Sequence, residues 1–229
     1  MSKKNVNPII SGMGFGISIL QTLDEERQAL GVSDEEFHKL ATPEGRPLIR
    51  KFAEFLAEKT PKVITKNQNG HPVLTLTGLD LTGAEEVARL KSAGFHISDY
   101  ARGILTNGDY DKNHRLEAKQ YQIVLVPGAE IPRNRTTANV KAYAKKFGYL
   151  VPKAGIVPRI RETISDKQME EMGTWYVVAL HVPIKDSGGD PCVLISSRSD
   201  DGLWVGAAWD DPEYSWVDDG AFAFLVSQV

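Results

Sequence analysis

The sequence predicts an α+β fold: an N-terminal helical region followed by a mostly antiparallel sheet with at least one packed helix. Helix-capping signals are concentrated in the first sixty residues, and strand-like apolar runs dominate the second half. The last strands are joined by short turn-rich connections, which favour antiparallel pairing. We therefore divide the chain into a helical region (1–61), a connecting strand and helix segment with a polar loop (62–117) and a C-terminal α+β domain (118–229).

The N-terminal region carries explicit helix-start signals. Ser33 is followed three residues later by Glu36, which is the spacing of a capping box, and the flanking Val32 and Phe37 are placed as a hydrophobic staple. A second helix start at 42–44 precedes one apolar stripe, formed by Leu48, Phe52, Phe55 and Leu56. We expect a small helical unit with one apolar side.

The connecting segment begins with a strand candidate at 72–77. Thr82 and Glu85 then open a short helix that Gly94 ends. Residues 107–113 have turn chemistry and almost no apolar content, so we expect a domain boundary or an exposed loop there.

The C-terminal half alternates apolar runs with turns. A strand at 121–126 precedes a helix at 137–147 that Gly148 ends, and Ser165 with Gln168 caps a further short helix. The remaining apolar runs predict strands at 175–184, 191–196, 203–209 and 221–227.

Composition excludes several classes of protein. Cys192 is the only cysteine, so neither an intramolecular disulfide nor a cysteine-based zinc site can form. No run approaches 18 consecutive apolar residues, and the semi-apolar start of the chain lacks the cleavage pattern of a secretory signal. We expect a soluble cytoplasmic protein without a membrane partner and, in the absence of any strong cofactor motif, without a cofactor.

Charge is sorted along the chain. Residues 116–167 contain ten Lys/Arg and four Asp/Glu, whereas residues 168–229 contain two and eleven, although the whole chain carries only −3. The acidic block also contains all four tryptophans, Trp175, Trp204, Trp209 and Trp216. Adjacent blocks of opposite sign either neutralise each other or present two faces to charged partners.

The basic block contains a candidate anion-binding site at the start of the 137–147 helix, where backbone N–H groups and positive potential attract anions. Its members are Arg133, Arg135, Thr136, Thr137, Arg159 and Arg161. With Lys141, Lys145, Lys146 and Tyr149 this basic strip could also track a nucleic acid, but the acidic block opposes that partner. Alternatively, a threonine simply caps the helix and the arginines pair with the acidic block.

The acidic block contains a candidate surface for a protein partner: Trp209, Asp210, Asp211, Glu213 and Trp216. A rigid aromatic pair with carboxylates suits an interface anchor, whereas the alternative places both tryptophans in the core or at an edge of the sheet. The carboxylates lack the spacing of a calcium-binding loop and fit hairpin turns better.

Evidence for catalysis is weak. Asp109, Asp111, His114 and Glu117 form the only compact polar titratable cluster, which suits either a loop or metal-assisted hydrolysis. His181 and Cys192 lie within apolar strands, where buried structural roles are the default.

The C-terminal half resembles a recurring group of uncharacterised bacterial proteins over about residues 130–228. The resemblance is carried by RTT before the helix, IRETIS and MEEMG after it, KDSGGDP, and the final FAFLVSQ. It implies a bacterial origin and transfers no activity and no site residue. The sequence therefore favours a non-catalytic interaction or regulatory module with an unidentified protein partner. Two alternatives are nucleic-acid or phosphate-ligand binding through 133–161, and metal-assisted hydrolysis.

Overall fold

The computed structural model describes residues 20–59 and 64–226, with side chains omitted for 53–59. The chain forms two compact units, Met1–Thr60 and Pro61–Val229. The first coincides closely with the predicted helical region. Where the sequence separates 62–117 from 118–229, the structure joins both in one unit, because the strands of the first segment belong to the same sheet as those of the second.

The N-terminal unit contains three helices, α1 (20–29), α2 (Asp34–His38) and α3 (Arg46–Lys59), among the described residues. Ser33 caps α2 as predicted: its hydroxyl accepts the Glu36 backbone N–H at 3.2 Å. Of the predicted apolar stripe, Leu48 and Phe52 are about half exposed. The side chains of Phe55 and Leu56, and residues 1–19 of the predicted region, lie outside the described residues.

The second unit is built on a mixed sheet whose described strands follow the order β1-β2-β4-β9-β5-β7-β8-β3, with β6 beside β7. Pairing is antiparallel except between β5 and β9 and between β3 and β8, which confirms the predicted α+β class and its mostly antiparallel sheet. The strands are β1 (Thr65–Lys66), β2 (Pro72–Thr77), β3 (His96–Ile97), β4 (Gln120–Pro127), β5 (Tyr176–Ala179), β6 (Ile184–Lys185), β7 (Pro191–Ser197), β8 (Trp204–Trp209) and β9 (Gly220–Leu225).

Five further helices accompany the sheet: α4 (Gly83–Ser92), α5 (Asp99–Leu105), α6 (Thr137–Lys145), α7 (Ile156–Thr163) and α8 (Asp166–Glu171). Capping boxes at Thr82 with Glu85 and at Ser165 with Gln168 start α4 and α8, as predicted. Beyond α4, Gly94 has a φ of 79°, a left-handed conformation that glycine adopts without steric cost.

The polar stretch 107–113 is not an exposed loop. Tyr110–His114 forms a π-helical turn in which Tyr110 is 2% and His114 3% exposed. The stretch appears polar in sequence because most of its side chains face outward, while these two rings point into the protein. Tyr110 belongs to the main hydrophobic core, so the segment is a packed part of the fold.

Two hydrophobic clusters cover the two faces of the sheet. One includes Leu90 of α4, Ile104 of α5, Ile160 of α7 and Met169 of α8. The other is formed with α6 through residues such as Val140, Ala144, Phe222 and Phe224. Strand β4 supplies alternate residues to both clusters, which explains why its sequence is a continuous apolar run. No helix in the described ranges is long and apolar enough to cross a membrane.

Candidate binding site at the end of strand β8

The outer edge of β8 is paired along only part of its length. Strand β3 lies beside it at two positions, His96 opposite Trp204 and Ile97 opposite Val205. The chain then turns into α5, which packs against β8. Beyond Val205, no strand in the described part of the chain pairs with β8 on this side.

The hydrogen-bond pattern shows which backbone groups face this edge. The N–H of Asp210, just after β8, donates to Pro191 of β7 at 2.8 Å, whereas the carbonyl of Val205 accepts from Ser98 beside β3 at 3.1 Å. Because bonding directions alternate along a strand, even-numbered residues bond towards β7 and odd-numbered residues bond outward. The N–H and C=O groups of Ala207 and Trp209 therefore point to the uncovered edge.

A pocket of about 310 Å³ lies at this point between the start of α5 and the end of β8. It is lined by Tyr100, Cys192, Ala207, Ala208 and Trp209. Trp209 is 61% and Tyr100 59% exposed, whereas Cys192 is buried at the start of β7. Two large aromatic side chains therefore flank an apolar recess that is open to solvent. This volume suits one or two apolar side chains of a ligand.

Two carboxylates, Asp186 and Asp190, act on the pocket residue Cys192. Burial raises the pKa of the Cys192 thiol, and the nearby Asp186 and Asp190 raise it further, so the thiol is neutral. Asp210 directly follows Trp209. Burial lowers the pKa of Lys141 on α6, and the Asp210 carboxylate partly offsets this by raising it. Asp186 and Asp190 place negative charge near Cys192, whereas the Asp210 carboxylate accepts from Thr137 of α6 on the opposite face of the sheet.

The predicted partner surface divides in the structure. Trp209 is 61% exposed at the end of β8, whereas Trp216 is only 5% exposed and packs against Phe222 in the core. The Trp216 indole N–H donates to Thr137 at 3.1 Å, and the Thr137 hydroxyl donates in turn to Asp210. Trp216 is therefore a core residue, because the loop after β8 folds back onto the start of α6.

The remaining acidic residues of that loop follow the expected turn chemistry. Asp211 and Glu213 are exposed, and the Asp211 carboxylate accepts the backbone N–H of Glu213 at 2.8 Å. They continue the negative surface away from Trp209 along the chain.

The first half of the predicted anion site is largely occupied by the protein itself. Thr136 caps α6 by accepting the Asn139 N–H. The Arg135 guanidinium donates to the carbonyls of Trp216 and Ile131 at 3.0 and 3.2 Å and forms an ion pair with Asp218 at 3.5 Å. Arg133 remains exposed. The basic and acidic blocks are thus partners of each other at this point.

The second half of the predicted anion site lies on the other face of the sheet. Arg159 and Arg161 belong to α7, which packs in a different hydrophobic cluster from α6. Both are buried: Arg159 pairs with Glu86 and Glu162, and Arg161 bonds to Ser197, Ile164 and Asp166. The prediction of a single basic strip at 133–161 is therefore wrong. Its arginines lie on opposite sides of the sheet, and Arg159 and Arg161 are buried.

Two histidines from distant parts of the chain, His114 and His181, contact each other inside the second unit. The rings of His114 and His181 have centroids 4.9 Å apart, and His114 Nε2 lies 4.0 Å from the Asp109 carboxylate. The other candidates are engaged elsewhere: Asp111 accepts the Gly83 N–H at 2.7 Å, and Glu117 pairs with Lys119 at 2.7 Å. The predicted polar cluster is therefore only partly brought together.

Both histidines are neutral and hold backbone groups. His181 Nε2 accepts the Leu194 N–H at 3.0 Å and its Nδ1–H donates to the Val182 carbonyl at 2.6 Å, while His114 Nδ1 accepts the Ala154 N–H at 3.2 Å. Burial lowers the pKa of His181 to about 3 and also lowers the pKa of His114. Within the described ranges, no group of three or more His, Cys, Asp or Glu side chains could hold a metal ion.

A second polar cluster was not predicted. The Tyr149 hydroxyl accepts amide N–H groups from Asn67 and Asn69 at 2.7 and 3.0 Å and donates to His71 Nδ1 at 2.8 Å. His71 Nε2–H donates to Glu130 at 2.9 Å. These hydrogen bonds connect the β1–β2 turn to the segment after α6. Tyr149 is buried and is therefore not available for base stacking.

Sequence reasoning also missed Tyr100 and the two alanines of the pocket. The only local signal is the predictable helix start at Ser98, whose hydroxyl accepts the Ala101 N–H and so places Tyr100 in the first turn of α5.

Comparison of the chain with protein-family models, curated proteins and solved structures finds no match.

Proposed function

We propose that this chain is a non-catalytic interaction module of the cytoplasm that binds a protein partner through the pocket at the end of β8. The observation that carries the proposal is the exposure of Trp209, 61%, beside an apolar pocket at an uncovered strand edge. Exposed tryptophan and tyrosine side chains around a recess are the residues that most often anchor protein interfaces.

The neighbouring titratable groups support binding rather than chemistry. Both ring nitrogens of His181 are engaged by backbone groups, and Cys192 is a buried neutral thiol whose nucleophilicity is low. The hydrolytic alternative rests on Asp109 and His114, whose 4.0 Å separation is longer than a hydrogen bond.

Phosphate or nucleic-acid binding has less support. Arg135, Arg159 and Arg161 are engaged by carboxylates or carbonyls of the protein. The exposed cations that remain from the predicted strip, such as Arg133, Lys145 and Lys146, are divided between the two ends of α6 and do not form one continuous patch.

The test is a selection of random dodecapeptides displayed on phage, using the immobilised full chain as the target. We expect enriched peptides to bind Trp209→Ala at least about thirtyfold more weakly, as is typical when a central aromatic anchor is truncated. Tyr100→Ala should weaken the same peptides.

The matched control is Trp175→Ala. Trp175 is 48% exposed and lies under the Arg198 guanidinium at 4.9 Å, outside the pocket lining. Its replacement should leave binding unchanged. A selection that enriches no peptide, or peptides that bind Trp209→Ala as tightly as the original protein, would contradict the proposal.

A further inference from the structure

We infer that the partner binds as an extended segment that adds a strand to β8 at Ala207 and Trp209 and carries basic side chains. This inference rests on the proposed function and specifies the conformation and charge of the ligand. Adding a strand to an open sheet edge is an established mode of peptide recognition, in which backbone hydrogen bonds supply affinity and pockets supply specificity.

The first argument is the vacant position beside β8. The short β3 occupies the outer edge only up to Val205, and β8 continues to Trp209. Burial changes at the same place, because Val205 is fully buried whereas Gly206, Ala207 and Ala208 are partly exposed. A ligand strand along these residues would continue the sheet where β3 leaves it.

The second argument is the direction of the backbone groups. The alternation established by Asp210 and Val205 turns the N–H and C=O of Ala207 and Trp209 outward. These two residues offer two donors and two acceptors spaced about 7 Å apart, the repeat of a neighbouring strand. An extended ligand can therefore match them with every second residue.

The third argument is the position of the pocket relative to that edge. The side chain of Ala207 packs with the cluster that also contains Cys192 and Val205, on the face where α5 lies. Side chains on one face of the added strand would therefore enter the pocket between Tyr100 and Trp209. An apolar residue at this position fits the volume of about 310 Å³.

The fourth argument is charge. Asp186 and Asp190 lie close enough to raise the pKa of Cys192, and Asp210 follows Trp209 directly. The cation on which Asp210 acts is the half-buried Lys141, and burial lowers the pKa of its ammonium group. Lysine or arginine side chains of the ligand, next to its apolar anchor, would complement the negative charge of Asp186 and Asp190.

The experiment uses the full chain labelled with ¹⁵N and a blocked heptapeptide of alternating lysine and valine. We expect saturable shifts of the Ala207 and Trp209 amide resonances. N-methylation of the peptide at every second position should weaken binding roughly threefold to tenfold, while N-methylation at the intervening positions should have little effect, because only alternate N–H groups face β8.

A peptide with glutamate in place of lysine should bind at least about tenfold more weakly at low ionic strength, and added salt should reduce the difference. On the protein side, Ala207→Pro removes one outward N–H at an edge position where proline is tolerated, and it should weaken the lysine peptide to a similar degree. The peptide series needs no protein variant, so misfolding of Ala207→Pro cannot obscure the result.

The inference is overturned if the lysine peptide leaves the Ala207 and Trp209 amides unshifted at millimolar concentration, or if N-methylation shows no alternation. The proposed function fails separately, through the phage selection. Displayed peptides that depend on Trp209 but show no alternating N-methyl effect would retain the pocket as a binding site and exclude strand addition.

Discussion

The indole N–H of Trp216 donates a hydrogen bond of 3.1 Å to the hydroxyl of Thr137, across 79 residues of sequence. The bond joins the acidic block to the basic block, and the same hydroxyl donates to Asp210. The start of α6 and the acidic turn after β8 look like separate binding sites in the sequence, but in the structure they contact each other. Trp209, one residue before Asp210, is left facing solvent.

Replacing Thr137 with valine should destabilise the second unit by about 1–3 kcal/mol. Valine keeps the shape but leaves the buried Trp216 N–H without its acceptor, and the unpaired group carries the larger cost. Chemical denaturation followed by tryptophan fluorescence measures the change. Thr106→Val, at an exposed position, is the control and should have a much smaller effect.

At pH 8, above the value of about 7 to which burial raises the pKa of Glu86, Glu86→Gln should destabilise the protein by about 3 kcal/mol, because it removes the carboxylate that faces the buried Arg159. Arg159 keeps Glu162 at 2.9 Å, so we expect the lower end of the range for breaking a buried ion pair. The comparison is Asp99→Asn, which breaks the exposed pair with Arg102 and should remain close to the original stability. Equal effects of the two changes would show that burial does not set the strength of the Glu86 network.

His181 should make the free energy of unfolding depend on pH. Burial lowers the pKa of His181 to about 3 in the folded protein, whereas the unfolded chain binds the proton near 6.5. The unfolded state therefore takes up more protons between these values, and stability is lost as the pH falls from about 6.5 towards 3, by at most about 1.4 kcal/mol per pH unit.

The measurement is urea denaturation at pH 7, 6, 5 and 4 for the original protein and for His181→Gln. The variant should be less stable at pH 7 and should lose less stability on acidification. His38→Gln, at an exposed position in the N-terminal unit, serves as the control. Parallel pH profiles for the original protein and His181→Gln would contradict the assignment.

Tyr149→Phe should destabilise the β1–β2 turn. The change removes the oxygen that joins Asn67, Asn69 and His71, and it should cost about 2 kcal/mol because His71 is 1% exposed. Amide hydrogen exchange should accelerate at 65–73 more than in β7. Tyr214→Phe, where the side chain is half exposed, should leave exchange in the turn unchanged.

Local features of the fold could be predicted because their signals lie within a few residues of each other. Ser33, Thr82 and Ser165 cap helices in the structure, and each was recognised from its own side chain and the residue three positions later. The order of the sheet could not be predicted in this way. The parallel neighbours β5 and β9 are joined only by residues far apart in sequence, and no local pattern specifies such a pairing.

The candidate site shows the same limit. Trp209 and Trp216 flank one acidic turn and look equivalent in sequence, yet one ends an edge strand and the other is folded under α6. Arg161 looks like a surface cation, but three acceptors allow it to be buried completely. In both cases the outcome depends on partners from distant segments.

The position of β9 has a consequence for synthesis on the ribosome. Gly220–Leu225 lies in the middle of the sheet, between β4 and β5, although these residues are translated after every other described strand. Without them, no strand pairing among the described residues joins β1, β2 and β4 to β5, β7, β8 and β3. The sheet therefore depends on the last described strand to join its two parts, and we expect a nascent or truncated chain without Gly220–Leu225 to associate through the unpaired edges of β4 and β5.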